Sequence, residues 1–348
     1  MKNLSTKLLA TITAAFISLS AISCTKDEGN VLYLYNWTYY TPDEVIKQFE
    51  QEFNCKVIVS YYDSNEQMYS KIKAGGNKYD IVFPSQDYVS IMIEQGMLRE
   101  LDHNIITNTK YINPAVLEKA TYDPTMKYTV PYYFGAAGIA VNTSKVPSGS
   151  YERNWNIFAD KRFAGHATMM DDMREVLGDA LSYLGYSVNS TDDKELREAT
   201  DLVKKYWKPN LVKFDAESFG KQFASGDFWL CQGYAEVIHS EVSEEKWANV
   251  DFFIPEDGGP SYLDSMCILK NSRHYELANE FINFIHRPEI YAEFLDAFSF
   301  PCFVNLEAAK YTKSTPMYEP YMMNSCELKN DIGEDLDKYN DLWQEIRF

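Results

Sequence analysis

The chain has 348 residues and 45% hydrophobic content, enough to fill the cores of two lobes, and carries a formal net charge of −18. A field of that sign repels nucleic acid and draws small cations, so no nucleic-acid partner is expected. Tyrosine is used heavily, with 26 residues beside 20 Phe and 6 Trp. Such rings offer flat walls with a polar tip.

Residues 1–24 read as a targeting segment. Lys2 and Lys7 form a basic start, and the apolar run from Leu8 to Leu19 is too short to span a membrane. Ala21-Ile22-Ser23-Cys24 then has the small-residue-plus-cysteine form of a bacterial lipobox, which predicts cleavage and lipidation at Cys24. A plain secretory peptide cut nearby is the alternative. Acyl chains on Cys24 would hold an exported protein at a membrane, with residues 25–30 as a polar tether. Cys55, Cys231, Cys267, Cys302 and Cys326 remain, an odd set without the Cys/His spacing of a zinc site. They read mostly as small buried hydrophobes, and no metal or cofactor is expected.

In chain order, Val31 to Tyr35 reads as a strand. Thr41-Pro42-Asp43-Glu44 is a helix start, with Thr41 as cap and an apolar stripe of Val45, Ile46, Phe49 and Phe53. Lys56 to Tyr61 is a second strand. Ser64 and Gln67 open a second helix that stops at Gly75-Gly76. Tyr79 to Phe83 is a third strand, and Pro84-Ser85 turns into a third helix with Ser85 at its cap. This β-α-β-α-β order predicts a parallel sheet with right-handed crossovers. Ligands of such sheets sit outside the strands' carboxyl ends, which aims Trp37, Tyr40, Ser85 and Asp87 at a crevice.

Val130 to Asn142, apolar and punctuated by glycine, can carry the chain into a second α/β unit running to about Phe253. Within it, Ala167 to Met170 reads as a buried strand that ends in Asp171 and Asp172 and opens a helix. Asp172 and Glu175 stand three apart, which suits either a capping box or an acidic site projecting off the strand end. Thr191 to Tyr206 reads as a helix. Asp257-Gly258-Gly259-Pro260 is a turn, and Ser261 to Leu269 is another buried strand, in which Asp264 needs a partner. The tail from Asp331 to Phe348 reads as an amphipathic helix with Leu336, Tyr339, Leu342, Trp343 and Ile346 inward. The expected division is 31–137 with 262–307 as first lobe and 138–261 with 308–348 as second. Crossings near Gly135 and Gly259 would form a hinge.

Catalytic signatures are missing: there is no G-x-S-x-G, H-E-x-x-H, P-loop or G-x-G-x-x-G. His103, His166, His239, His274 and His286 are scattered. Asp171, Asp172 and Glu175 keep open a carbohydrate-active enzyme that uses paired carboxylates.

Five motifs carry a resemblance: residues 33–40 (Tyr-Leu-Tyr-Asn-Trp-Thr-Tyr-Tyr), 79–85, 130–135, 171–175 and 262–265. In this order they resemble the spermidine/putrescine-binding proteins of bacterial polyamine ABC importers. The resemblance runs from about Val31 to the C-terminus. It implies a two-lobed α/β periplasmic-binding-protein fold, no enzymatic activity, delivery of a cation to a membrane permease, and a monomer. Carried over residue by residue, it implies a ligand site of Trp37, Thr38, Tyr40, Ser85, Asp172, Glu175 and Asp264. Tyr234 and Tyr262 fall where the family commonly has tryptophan. Asp87 stands where an aromatic is common, Tyr39 replaces an acid, Phe300 falls where Tyr is frequent, and Lys329 replaces a pocket glutamine. A lysine there either pairs with Asp87 or Asp172 in place of one ligand ammonium, favouring a short diamine, or snorkels to solvent. The alternative within this fold is a binder of another small cationic solute.

The chemistry is coherent. A polyamine is a methylene chain with ammonium ends, so it needs carboxylates spaced to meet those ends and apolar walls between them. Ring faces can serve both the methylenes and the charge.

Overall fold

The computed structural model describes residues 30–38, 40–75 and 78–348. The targeting segment with Cys24, the tether up to Gly29, Tyr39 and Gly76 lie outside the described residues.

The opening β-α-β-α-β unit folds as its pattern predicts. Strand β1 (Val31–Trp37) pairs in parallel with β2 (Lys56–Tyr62) and β3 (Ile81–Val82). The helix Asp43–Glu52 buries Val45, Ile46 and Phe49. Its start differs from expectation. Pro42 holds the cap position without a side-chain bond, because the Thr41 hydroxyl accepts from Asn36 Nδ2 at 2.9 Å and meets the Tyr132 hydroxyl at 2.9 Å. A tertiary partner has displaced the local one. The helix Asn65–Lys73 keeps its predicted cap, with Ser64 Oγ accepting from Gln67 N at 3.2 Å.

The first sheet runs β11 (Glu327–Leu328), β10 (Pro260–Ile268), β3, β1, β2, with β4 (Thr129–Ala136) on the other side of β10. Every residue of β4 is buried, as its unbroken apolar run requires. The second sheet runs β7 (Leu211–Phe214), β6 (Ala167–Met169), β8 (Leu230–Gly233), β5 (Gly138–Asn142), β9 (Val250–Phe253). Here β6 is parallel to β7 and β8, whereas β5 is antiparallel to β8 and β9. Two sheets flanked by helices make the two-lobed α/β architecture.

The chain passes between the sheets three times. β4 leads through Ala137 into β5, and β9 leads through 254–259 into β10. These passages are partners: β4 pairs antiparallel with β10, and β5 pairs antiparallel with β9. They form one two-stranded ribbon that runs through both sheets. Gly135 lies on it, where a Cβ would come within 2.5 Å of the Tyr262 hydroxyl, so only glycine lets that ring lie flat on β4. The third passage follows β11 (Glu327–Leu328), which pairs with the start of β10. It ends in the helix Leu336–Arg347, whose Tyr339, Leu342, Trp343 and Ile346 fill the second lobe's core. Leu336, expected inward, is exposed at the first helical turn. Ala308, Tyr318, Met323 and Cys326 lie in the core that holds β1 and β4, so residues 308–328 pack largely with first-lobe strands.

Cys231, Cys267 and Cys326 are buried, Cys55 and Cys302 are half-buried, and all five are free thiols. No helix among the described residues is long and apolar enough to cross a membrane.

Candidate functional site

Two clusters of polar side chains face each other where the lobes meet. The first is built on β10. Asp264, 3% exposed, accepts from Ser85 Oγ at 2.6 Å on one carboxylate oxygen and from the Tyr40 hydroxyl at 2.6 Å on the other. Ser85 ends the turn after β3, yet its hydroxyl does not cap the helix Gln86–Glu94 that follows. It is held instead by Asn65 Nδ2 at 3.0 Å and spends its own proton on Asp264. Two hydroxyl donors from different turns therefore orient one buried carboxylate. Burial pushes Asp264 up to about 7, against the pull of those donors, with Asp87 adding to the rise.

The second cluster is built on the helix Met173–Tyr183. Asp172 caps it, accepting from Arg174 N at 2.8 Å and Glu175 N at 3.1 Å. The capping box is half made, because Glu175 does not reach back. Its carboxylate is fully buried and forms an ion pair with Lys329 Nζ. The expected partners of Lys329 were Asp87 or Asp172; the structure gives Glu175 instead. The reason is reach. Lys329 N donates to Ser261 O at 3.0 Å and Gln86 Nε2 donates to Lys329 O at 2.6 Å, which fixes the backbone beside β10 and aims the stem at the helix start. The lysine side chain is 19% exposed, so it does not snorkel to solvent. Burial would depress its pKa, but Glu175, Asp172 and Asp87 together hold it above the ordinary lysine value, and it stays an ammonium.

Aromatic rings connect the clusters. Tyr234 follows β8 and places its hydroxyl 3.5 Å from the same Glu175 oxygen. Its ring stands edge-on to Tyr262, centroids 5.7 Å apart, and Tyr262 lies 6.1 Å from Tyr133. Tyr133 stacks on Phe300 at 4.0 Å. Trp37 and Thr38 make no hydrogen bond to the acids of either cluster among the described residues. The Trp37 indole N–H donates to Phe83 O at 2.8 Å and its ring packs on Tyr62, whereas Thr38 is exposed beside Asp63. Asp87 reaches the second cluster only through its charge on Lys329; one of its oxygens is buried and unpartnered.

Two acids were missed by sequence reasoning. Asp179 lies one turn beyond Glu175 on the same helix, fully buried, with one oxygen bonded by Gln232 Nε2 and the other unpartnered. The spacing of Asp172, Glu175 and Asp179 at i, i+3 and i+7 is the signal that would have found it. Glu236 lies in the first turn of the helix Ala235–Glu241, half-buried, and makes no ion pair among the described residues. Burial pushes it up to about 7, with the charge of Asp264 adding to the rise. Its position two residues after Tyr234, at the carboxyl end of β8, marks it as crevice-facing.

Asp171 turns away to pair with Arg347 at 3.1 Å, and Asp172 is committed to its helix cap. The arrangement therefore gathers acids from both lobes around an aromatic wall, with one resident ammonium already seated. Glu175 and Asp264 are buried, so a ligand reaches them only when the lobes part.

The chain is similar to known proteins over most of its length. Residues 44–319 match the family described as bacterial extracellular solute-binding protein. The spermidine/putrescine-binding periplasmic protein of Escherichia coli is 33% identical over 354 residues, covering 100% of this chain and 99% of that protein. The lipoprotein TpPotD of Treponema pallidum superposes with a TM-score of 0.87 at 50% identity, covering 91% of this chain and 99% of that one. The spermidine/putrescine substrate-binding protein PotD of Streptococcus pneumoniae gives a TM-score of 0.83 at 27% identity, covering 92% and 100%.

Proposed function

This chain belongs to the bacterial extracellular solute-binding proteins, and from that premise we propose that it captures a polyamine outside the cytoplasm and delivers it to an ABC importer. The observation that carries the reading is the pairing of the two clusters: Asp264, oriented by Ser85 and Tyr40, faces a second set of acids that already neutralises an ammonium. A site that holds Lys329 in this way has the charge and the donors to hold a free ammonium too.

Each residue has a role under this reading. Asp264 and Glu236 receive one ammonium. Tyr262, Tyr234 and Tyr40 line the methylenes, each ring contact worth about 0.5–2 kcal/mol where charge meets its face. Asp172, Glu175 and Asp87 set the potential at the far end. Trp37 and Thr38 border the crevice at the end of β1. Micromolar binding needs only about 8 kcal/mol in total, so a few such contacts suffice after ordering costs. The protein transforms nothing: it is a carrier, not an enzyme. Its lobes are taken as 31–137 with 262–307 and 138–261 with 308–348, with β11 reaching across to the first sheet. Lipidation at Cys24 and a monomer complete the proposal, the anchor being in keeping with the Treponema pallidum relative, itself a lipoprotein.

Titration calorimetry with putrescine, spermidine, neutral amino acids and simple sugars tests the reading. Saturable binding confined to polyamines is expected. Binding of a sugar or a neutral amino acid instead would overturn it.

A further inference from the structure

The lysine side chain is an aminobutyl arm, the same unit from which polyamines are built. In this protein one such arm is already in the site. Its main chain is fixed on both sides, by Ser261 O and by Gln86 Nε2, and Gln86 is itself held by Leu263 N at 2.9 Å. Its ammonium occupies the fully buried Glu175, with the Tyr234 hydroxyl beside the same oxygen. Asp172 on that side accepts two backbone N–H groups on a single carboxylate oxygen, and its charge acts on Lys329. At the opposite end, Asp264 holds only hydroxyl donors and Glu236 has no cationic partner among the described residues. The site is thus asymmetric in cations: one end already holds the protein's own ammonium on one Glu175 oxygen, whose second oxygen is buried and unpartnered, and the other end holds no cation among the described residues.

We propose that Lys329 is a built-in occupant of the Glu175 seat, which makes the site selective for short diamines of about four or five carbons and adverse to triamines. This rests on the polyamine reading above and deepens it. A diamine fills the open end at Asp264 and Glu236 and stops short of Lys329. A triamine adds an aminopropyl arm along the same slot, and its third ammonium arrives where Nζ already stands. Two like charges at contact in a partly desolvated site repel strongly, and the Glu175 oxygen that would receive the newcomer already holds Nζ.

Lys329→Gln tests this. Glutamine keeps a hydrogen-bonding tip for Glu175 and removes the charge, leaving the seat free. Calorimetry of the wild-type protein should give putrescine at least tenfold tighter than spermidine. In the Lys329→Gln variant the spermidine-to-putrescine affinity ratio should rise at least tenfold. Adding Glu175→Gln should abolish that rise, because the vacated seat has lost its acid; this second variant also removes the buried charge that could compromise folding of the first. A ratio that stays within twofold of wild type in a folded Lys329→Gln variant overturns the inference while leaving polyamine binding intact. A wild-type protein that binds neither ligand at millimolar concentration overturns the polyamine reading and this inference with it.

Discussion

Replacing Asp264 by Asn should move stability and affinity in opposite directions, and the two magnitudes follow from its surroundings. The folded carboxyl is raised from 3.8 to about 7, chiefly by burial. A raised acid contributes stability that is complete below its unfolded value and lost as pH rises through the folded one. Ionised Asp264 therefore costs the empty protein on the order of 4 kcal/mol at pH 8, taking about 1.36 kcal/mol per pKa unit, and about 1–2 kcal/mol at pH 5. Asn removes this term. The empty variant should gain stability relative to wild type between pH 5 and pH 8, seen as a Tm difference that widens by several degrees. Ligand binding should suffer instead. Removing one partner of a buried charge pair costs about 2–5 kcal/mol, so putrescine affinity should fall by roughly 30-fold to several thousand-fold. The paired readings come from a pH series of thermal melts and from calorimetry at pH 8. A stability change of constant size across the pH range, or an affinity within threefold of wild type, would refute the reasoning.

Affinity for a dication should itself depend on pH. Binding pulls Asp264 and Glu236 to their ionised forms, and both are raised to about 7 in the empty site. Affinity should be level above pH 8 and fall as pH drops through 7, by up to about tenfold per unit for each proton displaced. Isothermal titrations between pH 5 and pH 8.5 would show it, and a flat profile would contradict it. Glu236→Gln should weaken diamine binding about tenfold in titrations at pH 8 and, by the same linkage as at Asp264, raise the melting temperature of the empty protein more at pH 8 than at pH 5. Gly135→Ala places a methyl 2.5 Å from the Tyr262 hydroxyl and should displace that ring, lowering affinity about 5- to 30-fold, a loss of about 1–2 kcal/mol.

Much of this could be read from the chain alone, because the signals were local. The alternation of strand and helix through residue 94 needs only periodicity and turn residues, and the structure returns β1, β2 and β3 in parallel. Asp264 was legible for a different reason: an acid inside a buried strand must find partners, and it found Tyr40 and Ser85. What escaped was long-range choice. The Thr41 hydroxyl had a local use as a cap and a distant one at Tyr132, and the distant one won. Ser85 abandoned its helix for a residue 179 positions away. The partner of Lys329 lies 154 positions back, and no spacing rule links them. Leu336 fits the apolar stripe of its helix, yet it precedes the point where the helix meets the core. Glu236 carries no local mark that sets it apart from the chain's other acids, and the placement of Tyr234 and Tyr262 is what makes it part of the site.

The antiparallel pairing of the two principal passages restricts how the halves can move. Two separate tethers would allow swivel and bend alike. Cross-linked by ladder hydrogen bonds, they form a leaf spring, stiff within its own plane and compliant across it. Tyr262 and Asp264 are mounted on that spring, so a bound guest presses on the flexing part itself. The ribbon's curvature and the occupancy of the site are therefore linked through the same two strands.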